Sequence, residues 1–162
     1  MKYLIPTLLT LLLILPAKVK VEEPKNNSFV YDAAYFGELE EVSLWLLDSL
    51  EIRDVYVHIV PMTDYKDRYF GYVEGRGKQY LIHINDELPH YQKIETLCHE
   101  IIHIQQMNSG ALEDKGLFFI WEGRMYSYFH PYDEREWEIE AKLLGVAIAR
   151  KHLRNERRKF NK

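Results

Sequence analysis

The sequence predicts an α+β domain, in which helices and strands are segregated along the chain rather than strictly alternating. Apolar residues recur every three or four positions over residues 32–51 and again over residues 90–108, which is helical spacing. Residues 54–60 are instead rich in β-branched side chains that alternate with polar ones, as in a strand. With 162 residues, 47% of them hydrophobic, the chain is long enough for one domain with a core and too short for two.

Turn residues place two further strands between the predicted helices. Residues 69–74 and 79–85 both have strand-like composition, and the Gly75-Arg76-Gly77 segment between them favours a turn. These two segments are therefore expected to form a hairpin.

The second half of the chain is divided by its own start and stop signals. Pro89 can open the helix that follows it, and Gly110 can end that helix. The aromatic segment 117–129 is expected to be extended and interrupted at Gly123. A last helix is predicted from about residue 133 to residue 158.

Composition and charge exclude several classes of protein. Twelve Tyr, seven Phe and three Trp argue against a chain that is disordered throughout. A single cysteine, Cys98, excludes a disulfide scaffold. The net charge of −4 gives no overall basic surface, so nucleic acid is not an expected partner.

The last thirteen residues, 150–162, differ in charge from the rest of the chain. They contain seven basic side chains and one acidic one, whereas the remainder of the chain is acidic. This tail is interpreted either as the solvated end of a helix or as a contact for anionic lipid or an anionic polymer.

The N-terminal residues have the pattern of a targeting segment. Lys2 precedes an almost wholly apolar run over residues 3–17, whereas a membrane span needs about 20 apolar residues and a signal peptide about 7–15. We expect residues 1–17 to be a signal peptide, or an N-terminal membrane anchor if they are not cleaved. A polar linker over residues 18–28 and a domain over residues 29–162 would follow. The protein is therefore expected to be periplasmic, cell-surface or secreted, or to be anchored in a membrane by this segment.

The chemistry of the chain is concentrated in one H-E-x-x-H motif, which runs from His99 to His103 within the second predicted helix. Residues four apart lie on one helical face, so the imidazoles of His99 and His103 can bind one zinc ion. Glu100 lies next to the first ligand, where it can act as general base toward a metal-activated water. The motif therefore predicts a hydrolytic zinc site.

Such a site needs a third protein ligand and one open position. Gln106 and Ser109 stand where the longer H-E-x-x-H-x-x-G-x-x-H pattern would have glycine and histidine, so that pattern is excluded. The third ligand is expected among the acids that open the last helix: Asp133, Glu134, Glu136, Glu138 and Glu140. Cys98 is interpreted as a small buried apolar residue, with a fourth zinc ligand as the alternative.

Several segments around the motif carry a resemblance to a known family. They are Thr96–His103, Gln105-Gln106, Trp121-Glu122-Gly123, Tyr132 and Trp137-Glu138-Ile139-Glu140-Ala141. Over about residues 80–145 the chain resembles the small H-E-x-x-H zinc metallopeptidase-like proteins of phages and bacteria, which are similar to gluzincins. The resemblance implies a zincin-like fold, with a small, mostly antiparallel sheet packed on the active-site helix and a C-terminal helix.

The resemblance also implies a ligand set. In gluzincin-like relatives the third ligand is a glutamate of a following helix that commonly precedes a small residue by three positions. Glu138 with Ala141 matches that register, and Glu140 is the runner-up. Lys142 departs from the pattern, because gluzincins often have an Asp or Asn there that orients a histidine. Another acceptor is then needed to hold a histidine tautomer.

The motif and the resemblance together predict a zinc-dependent metallohydrolase, in particular a peptidase acting on a peptide or protein substrate. The alternative is a catalytically silent zincin-fold interaction or structural module of an envelope or phage particle. The presence of Glu100 favours catalysis, because metal binding alone does not require it. The edge of the predicted strand 79–85 could pair with an extended substrate, which would place His83 near the cleft. The favoured interpretation of His83 is nevertheless a half-exposed strand residue.

A developing oxyanion would need a further hydrogen-bond donor. The candidates lie between the two predicted metal-binding segments and are Arg124, Tyr126, Tyr128, His130 and Tyr132.

Overall fold

The computed structural model describes residues 27–32, 38–62 and 69–160. In chain order, the elements are β1 (Phe29–Asp32), α1 (Glu38–Ser49), β2 (Tyr56–Pro61), β3 (Gly71–Arg76), β4 (Gln79–Ile84), α2 (His90–Ser109), β5 (Leu112–Asp114), β6 (Phe118–Trp121), β7 (Arg124–Ser127), a 3₁₀ turn (Tyr132–Glu134) and α3 (Glu136–Phe160). The predicted α+β class is confirmed.

The expected signal peptide or anchor over residues 1–17 lies outside the described residues, as does nearly all of the expected linker over residues 18–28. In the ranges that the structure describes, no helix combines the length and the apolar character needed to cross a membrane.

The larger sheet has the strand order β1-β2-β4-β3. β2 pairs in parallel with both β1 and β4, and only β3 pairs antiparallel, with β4. The sheet that packs on α2 is thus mixed, where a mostly antiparallel one was expected. The helix α1 connects β1 to β2, and a helical crossover of this kind joins parallel strands.

The first strand was missed because its residues were assigned to the predicted helix 32–51 and to the chain before it. The aromatic and β-branched residues from Phe29 to Tyr31 favour a strand, and Val30 is buried. The predicted hairpin between β3 and β4 is confirmed, and its turn includes Gly77 at a φ of 65°.

The segment after α2 folds into a second, antiparallel sheet with the order β5-β6-β7. Glu122 and Gly123 form the turn between β6 and β7, with φ values of 47° and 78°. Two consecutive residues with positive φ are typical of a tight hairpin turn, and they explain the interruption predicted at Gly123. Trp121 and Trp137 pack together beneath this sheet.

The main core lies between α2 and the larger sheet. Four apolar residues that recur at helical spacing along α2 are fully buried: Ile94, Leu97, Ile101 and Ile104. They join one apolar cluster with residues of α1 and of the strands β1, β2 and β4. α2 is therefore a central helix, and the polar side chains on its buried face are largely excluded from water.

The helix α3 approaches α2 very closely at Gly145. A Cβ atom on Gly145 would lie 3.0 Å from the backbone nitrogen of His99 and 3.1 Å from its Cα. A Cβ atom here would therefore require the backbone of α2 to shift by a few tenths of an ångström, for which a packed helix has little room. The contact holds the first turns of α3 against the H-E-x-x-H motif.

The far end of α3 carries the basic tail. Its exposed side chains include Arg150, Lys151, Arg154, Arg157 and Arg158. Their contact with an anionic surface stays a prediction.

We expect the substitution Gly145→Val to destabilise the fold by about 1–3 kcal/mol, a typical cost of overpacking. Ala147→Val adds the same side chain at an exposed position of α3, and its cost should be limited to about 0.5 kcal/mol of helix preference. Thermal unfolding of both variants tests this difference. Equal unfolding midpoints would contradict the close contact between the helices.

Candidate metal centre

Three side-chain donor atoms converge where α2 faces the first turn of α3. Nε2 of His103 lies 3.0 Å from Nε2 of His99 and 3.2 Å from Oε2 of Glu138. Nε2 of His99 lies 3.3 Å from the same carboxylate oxygen. The structure thus brings together the three residues predicted to bind the metal, and their role as ligands stays a prediction.

The hydrogen bonds of Gln106 determine which nitrogen of His103 carries the proton. Nε2 of Gln106 donates to the carbonyl oxygen of Trp137 at 3.0 Å and to Oε2 of Glu140 at 2.8 Å. Both partners are acceptors, so the amide must present its NH₂ group to them. Its Oε1 then accepts a hydrogen bond from Nδ1 of His103 at 2.7 Å. When His103 is neutral, its proton is therefore on Nδ1, and its Nε2 offers a lone pair.

This arrangement fits a divalent metal ion. A lone pair on Nε2 of His103 that faces the oxygen of Glu138 is unfavourable unless a cation or a proton lies between the two atoms. The donor atoms of His99, His103 and Glu138 all lie within 4.8 Å of one another. Two imidazoles and one carboxylate form a set that catalytic zinc sites use while leaving one position open.

The runner-up ligand, Glu140, has a different place. Its carboxylate accepts the hydrogen bond from Gln106 instead of facing the histidines. Glu138 and Glu140 are two residues apart on α3, and such residues do not share a helical face. Of the two alternatives left open by the sequence, the geometry therefore favours Glu138.

Glu100 lies beside the three donors and is buried, with 4% of its surface exposed. It lines a cavity of about 210 Å³ together with His99, His103 and Glu138. Burial raises the pKa of Glu100 above its usual value, although the charges of His103 and His99 act in the opposite direction. A carboxylate in this environment is a stronger base than one in water.

The strand β3 packs closely over Glu100. A Cβ atom on Gly71 would lie 2.5 Å from Cγ2 of Thr96 and 3.6 Å from Oε1 of Glu100. Glycine at this position therefore lets the strand approach α2 beside the carboxylate.

Electrostatic interactions couple Glu138 to its neighbours. Burial alone would raise the pKa of Glu138, but hydrogen bonds with His103 and His99 outweigh it and hold the pKa below its usual value. Burial likewise acts to lower the pKa of His103, and its contact with Glu138 and the charge of Glu100 outweigh that effect, so the pKa is raised. Glu138 is accordingly an ionised carboxylate.

Of the five candidate oxyanion donors, Tyr132 lies at the site. It lines the 210 Å³ cavity and also a neighbouring one of about 460 Å³, which it shares with His99 and Glu100. Burial, and then the charge of Glu138, raise the pKa of the Tyr132 phenol, so it remains a donor. Neither cavity is lined by the other four candidates: Arg124, Tyr126, Tyr128 and His130.

His83 is a partly buried strand residue, as the favoured interpretation has it, and it does not line either cavity at the site. β4 is flanked by β2 and β3, so it has no edge to offer a substrate. The ring of His83 stacks on Tyr72, and its Nε2 lies 3.1 Å from Oε1 of Glu74. Its neighbours Ile82 and Ile84 point into the core, and side chains alternate along a strand, so His83 faces the other side of the sheet.

Cys98 belongs to the apolar core, as predicted. Its side chain is fully buried among core residues, and it is not among the metal-ligand cluster that the described residues form. The alternative of a fourth ligand, which would close the site, is therefore wrong for this geometry.

The chain matches a known family over residues 50–149, a span that includes β2 to β7, α2 and the first half of α3. The family is Peptidase_M78, described as the IrrE N-terminal-like domain. The chain belongs to this family. The predicted kinship with metallopeptidase-like proteins and the zincin-like fold are thereby confirmed. No curated protein and no solved structure matches the chain.

We expect the thiol of Cys98 to be inert toward a disulfide reagent such as DTNB in the folded protein. The side chain is fully buried, and burial raises the pKa of the thiol to about 12, with the charge of Glu95 adding to the effect. One thiol per chain should react only after denaturation. The absorbance of the thionitrobenzoate that the reagent releases measures this reaction. Rapid reaction of the folded protein would contradict the placement of Cys98 in the core.

Proposed function

We propose that the chain is a zinc-dependent peptidase in which Glu100 is the general base. One observation carries this proposal: the donor atoms of His99, His103 and Glu138 converge beside a buried glutamate in a common cavity. Membership of the Peptidase_M78 family supports a metallopeptidase-like domain. Zinc as the metal and peptides as the substrate are the finer parts of the proposal.

The geometry of β3 supports an extended peptide as substrate. β3 is the outer strand of the larger sheet, and no described strand lies on its outer side. Tyr69, Phe70 and Gly71, where the strand begins, line the 460 Å³ cavity next to Glu100. A peptide that adds to this edge by backbone hydrogen bonds would pass beside the donor atoms. The apolar surface of Tyr69 and Phe70 would receive a neighbouring side chain.

The residues of the site have distinct roles in this reaction. Zinc held by the two histidines and Glu138 would supply Lewis acidity toward the substrate carbonyl and the attacking water. The carboxylate of Glu100 takes a proton from that water and later delivers it to the leaving amine. The phenol of Tyr132, which hydrogen-bonds to Glu138 in the structure, would donate instead to the carbonyl oxygen as negative charge develops there.

The burial of Glu100 favours this function over a catalytically silent interaction module. A buried carboxylate has a large desolvation cost, and the three metal ligands do not need it for binding. A chain that only binds metal or a partner could replace it with an apolar residue at no loss. A peptide substrate, export or anchoring through residues 1–17, and an anionic contact through the end of α3 remain predictions.

The substitution Glu100→Gln tests the role of the general base. Zinc-loaded full-length protein and the variant are incubated with a peptide library, and new termini are identified by mass spectrometry. We expect the variant to lose about 10²–10⁴-fold in rate, because general-base catalysis contributes about that much. It should retain its zinc. Glu40→Gln, at an exposed position of α1, is the control and should cleave like the wild type.

Two results would contradict the proposal. If Glu100→Gln cleaved at an unchanged rate, Glu100 would not be the general base. The absence of any cleavage by zinc-loaded wild type would favour the silent module instead.

A further inference from the structure

Gln106 links the metal centre to α3, and nothing in the H-E-x-x-H pattern assigns it a role. We propose that Gln106 and Glu140 are positioning residues that hold His103 in its metal-binding tautomer and orientation. The proposal rests on the metal site of the proposed function. It assigns these two residues an effect on metal affinity, which is measurable without any substrate.

The side-chain amide of Gln106 makes hydrogen bonds through both its oxygen and its nitrogen. It is 3% exposed, and it makes hydrogen bonds to His103, to the carbonyl of Trp137 and to Glu140. Nδ1 of His103 faces this amide, and the ring is itself 7% exposed. Without the amide oxygen, the N–H of His103 would be buried with no acceptor from Gln106. The ring would then gain by moving its proton to Nε2 or by rotating, and either change removes the ligand lone pair from the site.

Contacts with α3 determine which end of the Gln106 amide faces His103. An amide can present either end to a histidine, and only contacts with the opposite end decide between the two. The carbonyl of Trp137 and the carboxylate of Glu140 both accept, so they bind the NH₂ end and turn the oxygen toward His103. The same turn of α3 contributes Glu138 to the donor cluster. One helical segment thus positions a ligand directly and a second ligand through Gln106.

Lys142 of α3 cannot take over the role of Gln106 as an acceptor. Lys142 lines the 460 Å³ cavity and is exposed, and a cationic side chain has no acceptor for a histidine N–H. Gln106 lies three residues after His103 on α2, and residues at this spacing are neighbours on a helix face. The acceptor that α3 does not supply at residue 142 is therefore supplied by α2 itself.

Zinc affinity of Gln106→Leu tests the proposal first. The free zinc concentration is set by competition with a chromophoric chelator, and the metal-free proteins are compared by circular dichroism. We expect Gln106→Leu to bind zinc about 10–100-fold more weakly, the usual effect of removing an outer partner of a ligand. Gln105→Leu is the matched control, because it makes the same substitution at the preceding position of α2, which is less buried. It should bind zinc like the wild type.

A pair of substitutions separates positioning from mere support of the fold. In Gln106→Glu, a carboxylate oxygen replaces the nitrogen that now lies 2.8 Å from Oε2 of Glu140. The two carboxylates repel, so zinc affinity should fall. Adding Glu140→Gln provides an amide donor to the new carboxylate and should restore part of the affinity. In the wild-type background, Glu140→Gln should not strengthen binding.

The decisive readout is the effect of Glu140→Gln on zinc affinity, which should be an increase in the Gln106→Glu background and no increase in the wild type. A residue that only supports the fold would make Glu140→Gln act in the same direction in both backgrounds. The visible spectrum of the cobalt-substituted proteins reports ligand geometry, and the double variant should return toward the wild-type spectrum while Gln106→Glu departs from it.

The outcomes distinguish this proposal from the proposed function. If the wild type binds no zinc, the metal site and the proposed function both fail. If the wild type and Gln105→Leu bind zinc and Gln106→Leu binds it equally well, the positioning role is overturned and the proposed function stands. If Gln106→Leu does not fold, the double-variant cycle decides, and an absence of rescue overturns the proposal.

Discussion

The site depends on how closely α3 packs against α2. At Gly145 the two helix backbones approach so closely that a Cβ atom would crowd the backbone of His99 itself. Nearer its start, α3 then presents Glu138 to the imidazoles and Glu140 to Gln106. Without this contact, the motif would be two histidines on one helix, with neither a third donor nor an acceptor partner in α3. The distance between α2 and α3 thus determines whether Glu138 and Glu140 reach their partners on α2.

The polar cluster between these helices is costly unless its groups are paired. Glu100, His103 and Gln106 are all nearly buried, whereas most of the other buried side chains among the described residues are apolar. Among the described residues, no fully buried side-chain nitrogen or oxygen lacks a hydrogen-bond partner. When His103 is neutral, its lone pair faces the carboxylate of Glu138, and a cation between them would turn this unfavourable contact into an attractive one. A metal ion at this cluster would therefore raise the stability of the fold, since an ion that binds only the folded state stabilises it.

Local sequence was sufficient for the parts of the site that lie within one helix. The spacing of His99 and His103 and the inward-facing isoleucines of α2 could be predicted because helical periodicity determines them. Glu138 required a resemblance, because nothing local distinguishes it from Glu140. The role of Gln106 was missed, since its partners in α3, Trp137 and Glu140, are more than 30 residues away in sequence. Its position three residues after His103 was the available signal. The parallel pairing of β2 was missed as well, because β1 is too short to stand out from the helix predicted after it.

The most direct test of the account is the zinc content of the purified full-length chain, measured by elemental analysis beside the variant His103→Ala. The account predicts about one zinc per chain in the wild type and its loss in the variant, with both proteins folded. A folded wild-type preparation that has never met a chelator and contains no zinc, or a variant that retains zinc at full stoichiometry, would contradict the metal centre formed by His99, His103 and Glu138.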